Sequence, residues 1–119
     1  MKSYHGNRYP SIMVFVRGDE GIDEPLSFYY EHVNHSPDGF EWGYLGSGPS
    51  QLAFAILFDF TQDLNFTYRH YQWFKRDFIQ HLFADEWTIQ GKAIQHWCEI
   101  FAGRPLLNIR EDEDGNCDV

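Results

Sequence analysis

Short apolar runs and partial alternation mark the first third of the chain, and further on the pattern changes to a rhythm of three and four. Residues 11–18, "SIMVFVRG", are rich in β-branched and aromatic side chains and stop at a glycine, which predicts a strand. Residues 3–5, ahead of the Gly6-Asn7 punctuation, predict a short edge strand. "DEGIDEP" at 19–25 predicts a charged turn, and the partial alternation of "LSFYYEHV" at 26–33 predicts a returning strand. Ser36-Pro37-Asp38-Gly39 has the composition of a type I turn, with proline presetting φ at its second position. In "FEWGY", Phe40, Trp42 and Tyr44 alternate with Glu41 and Gly43, a strand spacing that sets three aromatics on one face.

From Pro49 onward the pattern is helical. Proline suits a first helical residue because its missing N–H would have no partner there, so a helix is predicted from Pro49 with Ser47 or Gly48 as its cap. Residues 51–60 are apolar on nearly every side, the pattern of a buried central helix, and Asp59, Thr61 and Asp63 mark its end. Leu64, Tyr68, Tyr71, Phe74, Phe78 and Leu82 then recur at spacings of four, three, three, four and four, with Arg69, Lys75, Arg76 and Asp77 assigned to the outer face. "EWTI" at 86–89 predicts a short strand. Gly91 precedes a third helix with Ile94, Trp97, Cys98 and Phe101 on one stripe, ended by Gly103 and Pro105. Strands first and helices after predict an α+β fold: a small antiparallel sheet packed against three helices, in a single domain over residues 1–105. Residues 106–119 make an acidic tail, too charged to pack and expected to be disordered.

A chain of 119 residues has room for one core. Its 11 Phe, 7 Tyr and 4 Trp exceed what such a core readily buries, so some are expected at a surface, where they favour a partner interface and leave a homodimer open. Net charge is −9, with −6 in residues 1–63, +1 in 64–109 and −4 in the tail. That balance opposes direct nucleic-acid binding, which needs basic side chains to displace counterions, and suits docking onto a basic protein. Cys98 and Cys117 make no CxxC pair, so neither a disulfide framework nor a zinc knuckle is indicated, and a reducing, cytoplasmic setting is expected. The apolar runs at 12–16 and 52–58 are too short for a signal peptide or a membrane span.

Candidate chemistry gathers around Gly46-Ser47-Gly48-Pro49. A glycine-containing loop entering a helix can hold an anion on backbone N–H groups. Here Pro49 and Ser50 stand where a P-loop has its lysine and hydroxyl residue, which favours a tight joint over a phosphate cradle. The candidate ligand- or partner-binding residues are therefore His35, Glu41, Trp42, Tyr44, Gly46, Ser47, Gly48 and Ser50. No HExxH and no catalytic spacing appears; a hydrolase would have to use Glu41, His35 or Asp38, in contexts that suit solvated caps better. His32 and His35 are too poorly spaced on a strand to share a metal, and no cofactor is expected. Arg69, Lys75 and Arg76 interleave with Tyr68, Tyr71 and Trp73, but three cations on an exposed helix face do not outweigh the global charge.

The stretches "YHGNR" at 4–8, "HSPDGFEWGYLGSGPSQLAFAILFD" at 35–59 and "YQWFK" at 71–75, with the Trp97 region, resemble a family known as a domain of unknown function. Its members look like short proteins of phages, plasmids and other mobile elements. Leu45 departs from the glycine of that pattern, which stiffens the corner. The resemblance implies a mobile-element setting and assigns no activity. The expectation is a non-enzymatic protein-binding module, in its sharpest version an inhibitor or modulator of a defence or nucleic-acid-processing complex. The alternative is a nucleotide- or phosphate-binding protein using the glycine corner.

Overall fold

β1 (Ser3–Asn7), β2 (Met13–Arg17), β3 (Asp23–Pro25) and β4 (Glu86–Gln90) form one antiparallel sheet in the order β3-β2-β1-β4. With α1 (Ser47–Thr61), α2 (Leu64–Asp77) and α3 (Gly91–Phe101) they give the α+β class that the order of patterns predicts. The computed structural model describes residues 1–101; the acidic tail, Cys117 and the helix-ending Gly103 and Pro105 lie outside them. The described residues fall into two compact units, 1–27 with 84–101, and 28–83.

In the first unit, strict alternation decides which face is buried. Tyr4 pairs with Val16 and Ile89, and Gly6 with Val14 and Trp87, so these residues share a face. Tyr4, Val14, Trp87 and Ile89 are all buried on it. On the opposite face His5 stacks on Phe15 at 5.1 Å, and its Nδ1 and Nε2 hydrogen-bond the hydroxyls of Thr88 and Ser3. β1 is therefore a central strand, not the edge strand its short pattern suggests, because β4 arrives from far along the chain to pair with its other side. It also runs straight through Gly6, since the Trp87 ring fills the space where a Cβ would be. β3 lies inside the predicted charged turn. Its side chains are all exposed, so no hydrophobic alternation announces it, and only its ladder with β2 defines it. α3 follows β4 without a linker; Ile94 and Phe101 are buried, and Trp97 stacks on Phe101 at 4.5 Å.

The second unit corrects two strand expectations. Residues 26–33 form no strand: Tyr29 takes φ 58°, in the left-handed region, and the alternation there belongs to an aromatic cluster in which Phe28 stacks on Tyr30 and packs on Phe40. "FEWGY" forms no strand either. Gly43 has φ 91° and gives its N–H to the carbonyl of Ile79 at 3.0 Å, so Phe40 and Trp42 turn inward while Tyr44 stays exposed. The turn at 36–39 forms as expected, closed by the Gly39 N–H on the Ser36 carbonyl.

α1 is the buried central helix: every residue from Gly48 to Leu57 is buried. It begins two residues earlier than predicted, with Gly46 as its cap and Pro49 within its first turn. Gln62 closes it in the left-handed region, and the Asp63 carboxylate caps α2 by accepting the Phe66 N–H at 3.0 Å. The buried stripe of α2 is rotated from the predicted one. Thr67, His70, Phe74 and Lys75 are buried, whereas Tyr68 is exposed and donates its hydroxyl to the His32 carbonyl. The helix stops at Asp77, and a short 3-10 turn (Ile79–His81) carries the chain onward.

Candidate functional site

The corner that opens α1 is a joint between two stretches of the second unit. A Cβ on Gly48 would lie 2.7 Å from Cβ of Glu41, so the helix start presses directly on the aromatic segment. A Cβ on Gly46 would lie 2.5 Å from the Tyr44 ring, which rests against that glycine. Each glycine accommodates one side chain of the segment before it. Glu41 folds its carboxylate back to accept the N–H of Trp42 at 3.1 Å, and Trp42 itself is only 1% exposed. Ser47 is exposed on the first turn and makes no side-chain cap. Asp38 stands exposed on the preceding turn.

Behind the corner lies a buried polar cluster that the helical stripe does not announce. Lys75, expected on the outer face, is 7% exposed and donates from Nζ to Ser50 Oγ at 2.9 Å. His35 Nε2 shares a 2.5 Å hydrogen bond with the Tyr71 hydroxyl. Gln51, fully buried one residue beyond Ser50, uses its whole carboxamide: Oε1 accepts the N–H groups of His35 and Ser36, and Nε2 donates to the carbonyls of Phe28 and Val33. One side chain thus ties the irregular segment 28–36 to the start of α1, in place of a strand ladder. Glutamine within an apolar run is the one trace of this in the sequence.

Burial, and then the Lys75 ammonium, hold His35 below its ordinary value of 6.5. The unfolded chain therefore takes up this proton before the folded one does. The stability contributed by neutral His35 is fully present above pH 6.5 and is lost as pH falls through the depressed folded-state value. Burial lowers His5 and His70 in the same direction. Denaturation midpoints measured from pH 7.5 to 5 are expected to fall below about pH 6.5, with His35→Gln flattening the decline.

A lysine amine on a serine hydroxyl is a pair that acyl-transfer enzymes use. Here Ser50 is 0% exposed, so no substrate carbonyl reaches Oγ, and the pair serves packing. Burial pushes the Cys98 thiol up to about 11, which keeps it protonated and a poor nucleophile. Burial, followed by Asp59, likewise raises the Tyr29 phenol to about 12. Among the described residues no three of His, Cys, Asp and Glu gather as a metal site would require.

Large apolar side chains stand exposed beside the joint. Gly43 holds the 43–45 segment against the 79–82 turn, through its N–H on Ile79 and close approach to the Leu82 carbonyl. Tyr44 and Leu45 leave that contact 50% and 47% exposed, and Phe83, next after Leu82, is 79% exposed. Of the candidate residues, the joint thus gathers Glu41, Tyr44, Gly46 and Gly48; His35 and Ser50 belong to the polar cluster, and Trp42 to the core. Sequence reasoning missed Gln51, Lys75 and Phe83. Gln51 showed as a glutamine entering an apolar run and Phe83 as an aromatic after the last stripe position, whereas Lys75 gave no signal.

The model of the family of unknown function DUF6166 matches residues 4–100, covering both units. The chain belongs to this family. No curated protein and no solved structure matches it. In this DUF6166 protein no helix among the described residues is long and apolar enough to cross a membrane.

Proposed function

We propose that this DUF6166 protein is a non-enzymatic protein-binding module whose contact surface centres on Tyr44, Leu45 and Phe83. The observation that carries this reading is the 79% exposure of Phe83, which follows the Leu82 carbonyl that Gly43 approaches, with Tyr44 and Leu45 half exposed just after Gly43. Large apolar groups left in water at one place are a marker of an interface, and aromatic ones dominate interface energetics. The net charge of −9 favours a basic partner. In the mobile-element setting implied by the resemblance, the finer version is a cytoplasmic inhibitor or modulator of a defence or nucleic-acid-processing complex. A nucleotide or phosphate on Gly46, Ser47 and Gly48 is the alternative. The Glu41 stem against Gly48, and the N–H lost at Pro49, count against it.

Affinity capture from host lysate, read by mass spectrometry, tests the proposal with the wild type and Phe83→Glu side by side. The charge is expected to weaken the specific partner by about thirtyfold, as for an interface hot spot, with the melting temperature unchanged. A partner retained equally by both proteins would remove this surface from the reading. A nucleotide-dependent rise in melting temperature, abolished by Gly48→Val, would favour the alternative instead.

A further inference from the structure

The two edges of the sheet are built differently. β3 presents Asp23, Glu24 and Pro25, two carboxylates and a residue without an N–H, and natural sheets defend an edge against strand addition in this way. β4, at the opposite edge, has the sequence EWTIQ, with no proline. Its phase is fixed at both ends: Arg8 donates its N–H to the Asp85 carbonyl at 3.0 Å, and Gly91 donates to the Lys2 carbonyl at 2.8 Å. Hydrogen-bonded pairs recur every second residue in an antiparallel ladder, so Trp87 and Ile89 also turn their backbone groups toward β1. Glu86 and Thr88 consequently turn both N–H and C=O away from the sheet, and Gln90 turns its N–H. All three residues are exposed, and among the described residues the outward groups of Glu86 and Thr88 bond to nothing.

We infer that β4 pairs antiparallel with β4 of a second copy of this chain, joining two four-stranded sheets into one. The strand is self-complementary about Thr88. A twofold axis there sets Thr88 opposite Thr88, Glu86 opposite Gln90 and Trp87 opposite Ile89. These are a hydroxyl pair, an acid–amide pair and an aromatic–β-branched pair, with no like charges opposed. Both outward groups of Thr88 then find partners, and the Glu86 C=O accepts the Gln90 N–H. Centring instead on Glu86 would set two carboxylates face to face, and every other register shortens the overlap. The acidic, proline-bearing β3 edge cannot pair with itself in this manner, so association is directed to β4 and closes as a dimer rather than growing into a filament.

Sedimentation velocity over a wide concentration range tests this, with full-length wild type, Thr88→Lys, and Thr88→Cys in a Cys98→Ser, Cys117→Ser background. The wild type is expected to pass from monomer to dimer mass. Thr88→Lys, which opposes two ammonium groups across the axis, is expected to weaken association about tenfold or more at unchanged melting temperature. A hydrogen-bonded antiparallel pair sets its Cα atoms about 5.5 Å apart, within disulfide range, so Thr88→Cys is expected to oxidise to a covalent dimer. That crosslink decides the register even if the lysine variant folds poorly. A wild type that stays monomeric at the highest concentration, or a dimer indifferent to Thr88→Lys, would overturn the inference, as would an oxidised cysteine variant that remains a monomer.

Discussion

Gly6→Val is expected to destabilise the sheet by at least about 3 kcal/mol, a large share of the roughly 5–15 kcal/mol that holds a domain folded. The reason is a contact, not a backbone angle. A Cβ at this position would lie 2.4 Å from Cε2 of Trp87 and within 2.6 Å of its Nε1. Trp87 is buried on the cross-strand partner of Gly6, so its ring cannot swing clear without leaving the core face. Glycine inside a central strand is ordinarily a liability of about 1 kcal/mol, offset here by the aromatic surface laid over it. Urea denaturation of Gly6→Val, Trp87→Leu and the double variant checks the mechanism. The double variant is expected to recover part of the valine penalty, because the smaller side chain vacates the ring's space. Strict additivity of the two changes would mean that the ring is not the obstacle.

Gln51→Leu is expected to cost about 4 kcal/mol, although leucine is nearly isosteric and fits the apolar surroundings. The carboxamide satisfies two amides and two carbonyls of a segment with no ladder of its own, and an orphaned buried backbone group costs about 1–3 kcal/mol. Gln51→Glu makes a sharper test. Its carboxylate still accepts from His35 and Ser36 but faces the carbonyls of Phe28 and Val33 with no hydrogen to offer. Protonation of the introduced carboxyl restores one donor. Acidification should therefore narrow the stability gap between Gln51→Glu and the wild type, whose own stability declines with acid through His35. A gap that stays constant with pH would argue against the carbonyl contacts as the cause. Hydrogen exchange at the His35 and Ser36 amides supplies a local readout: slow in the wild type, fast in Gln51→Leu, which removes their acceptor.

Where burial follows chemical type, the sequence is legible. β4 alternates with the period its buried face requires, β2 is marked by its β-branched residues, α1 by a continuous apolar run and α3 by its stripe. Legibility fails where a polar residue is buried or an apolar pattern lacks a partner. Lys75 reads as an outer-face cation because lysine is rarely buried, yet it is buried and its amine reaches Ser50. The alternation in "FEWGY" was real, but two inward aromatics in an irregular segment mimic a strand when Gly43 turns the chain between Trp42 and Tyr44. β3 had no pattern to read, because it is exposed throughout and is recruited by its neighbour. The candidate site was half legible for the same reason. The glycine corner and Tyr44 stood out as turn chemistry and surplus aromatic, while Gln51 works through hydrogen bonds to residues 15 to 23 positions away, which no local window contains.

The sheet is discontinuous in the chain. Its first three strands are complete by Pro25, whereas the second side of its central strand stays unpaired until β4 is available, some sixty residues later. Among the described residues the intervening unit is one continuous stretch. During synthesis, residues 28–83 are expected to collapse around α1 before β4 leaves the ribosome, with β1 presenting an open edge to the cellular milieu for several seconds. The order of emergence thus makes β4 the last piece of the sheet, and the speed of its arrival sets how long the nascent chain is exposed to misassembly.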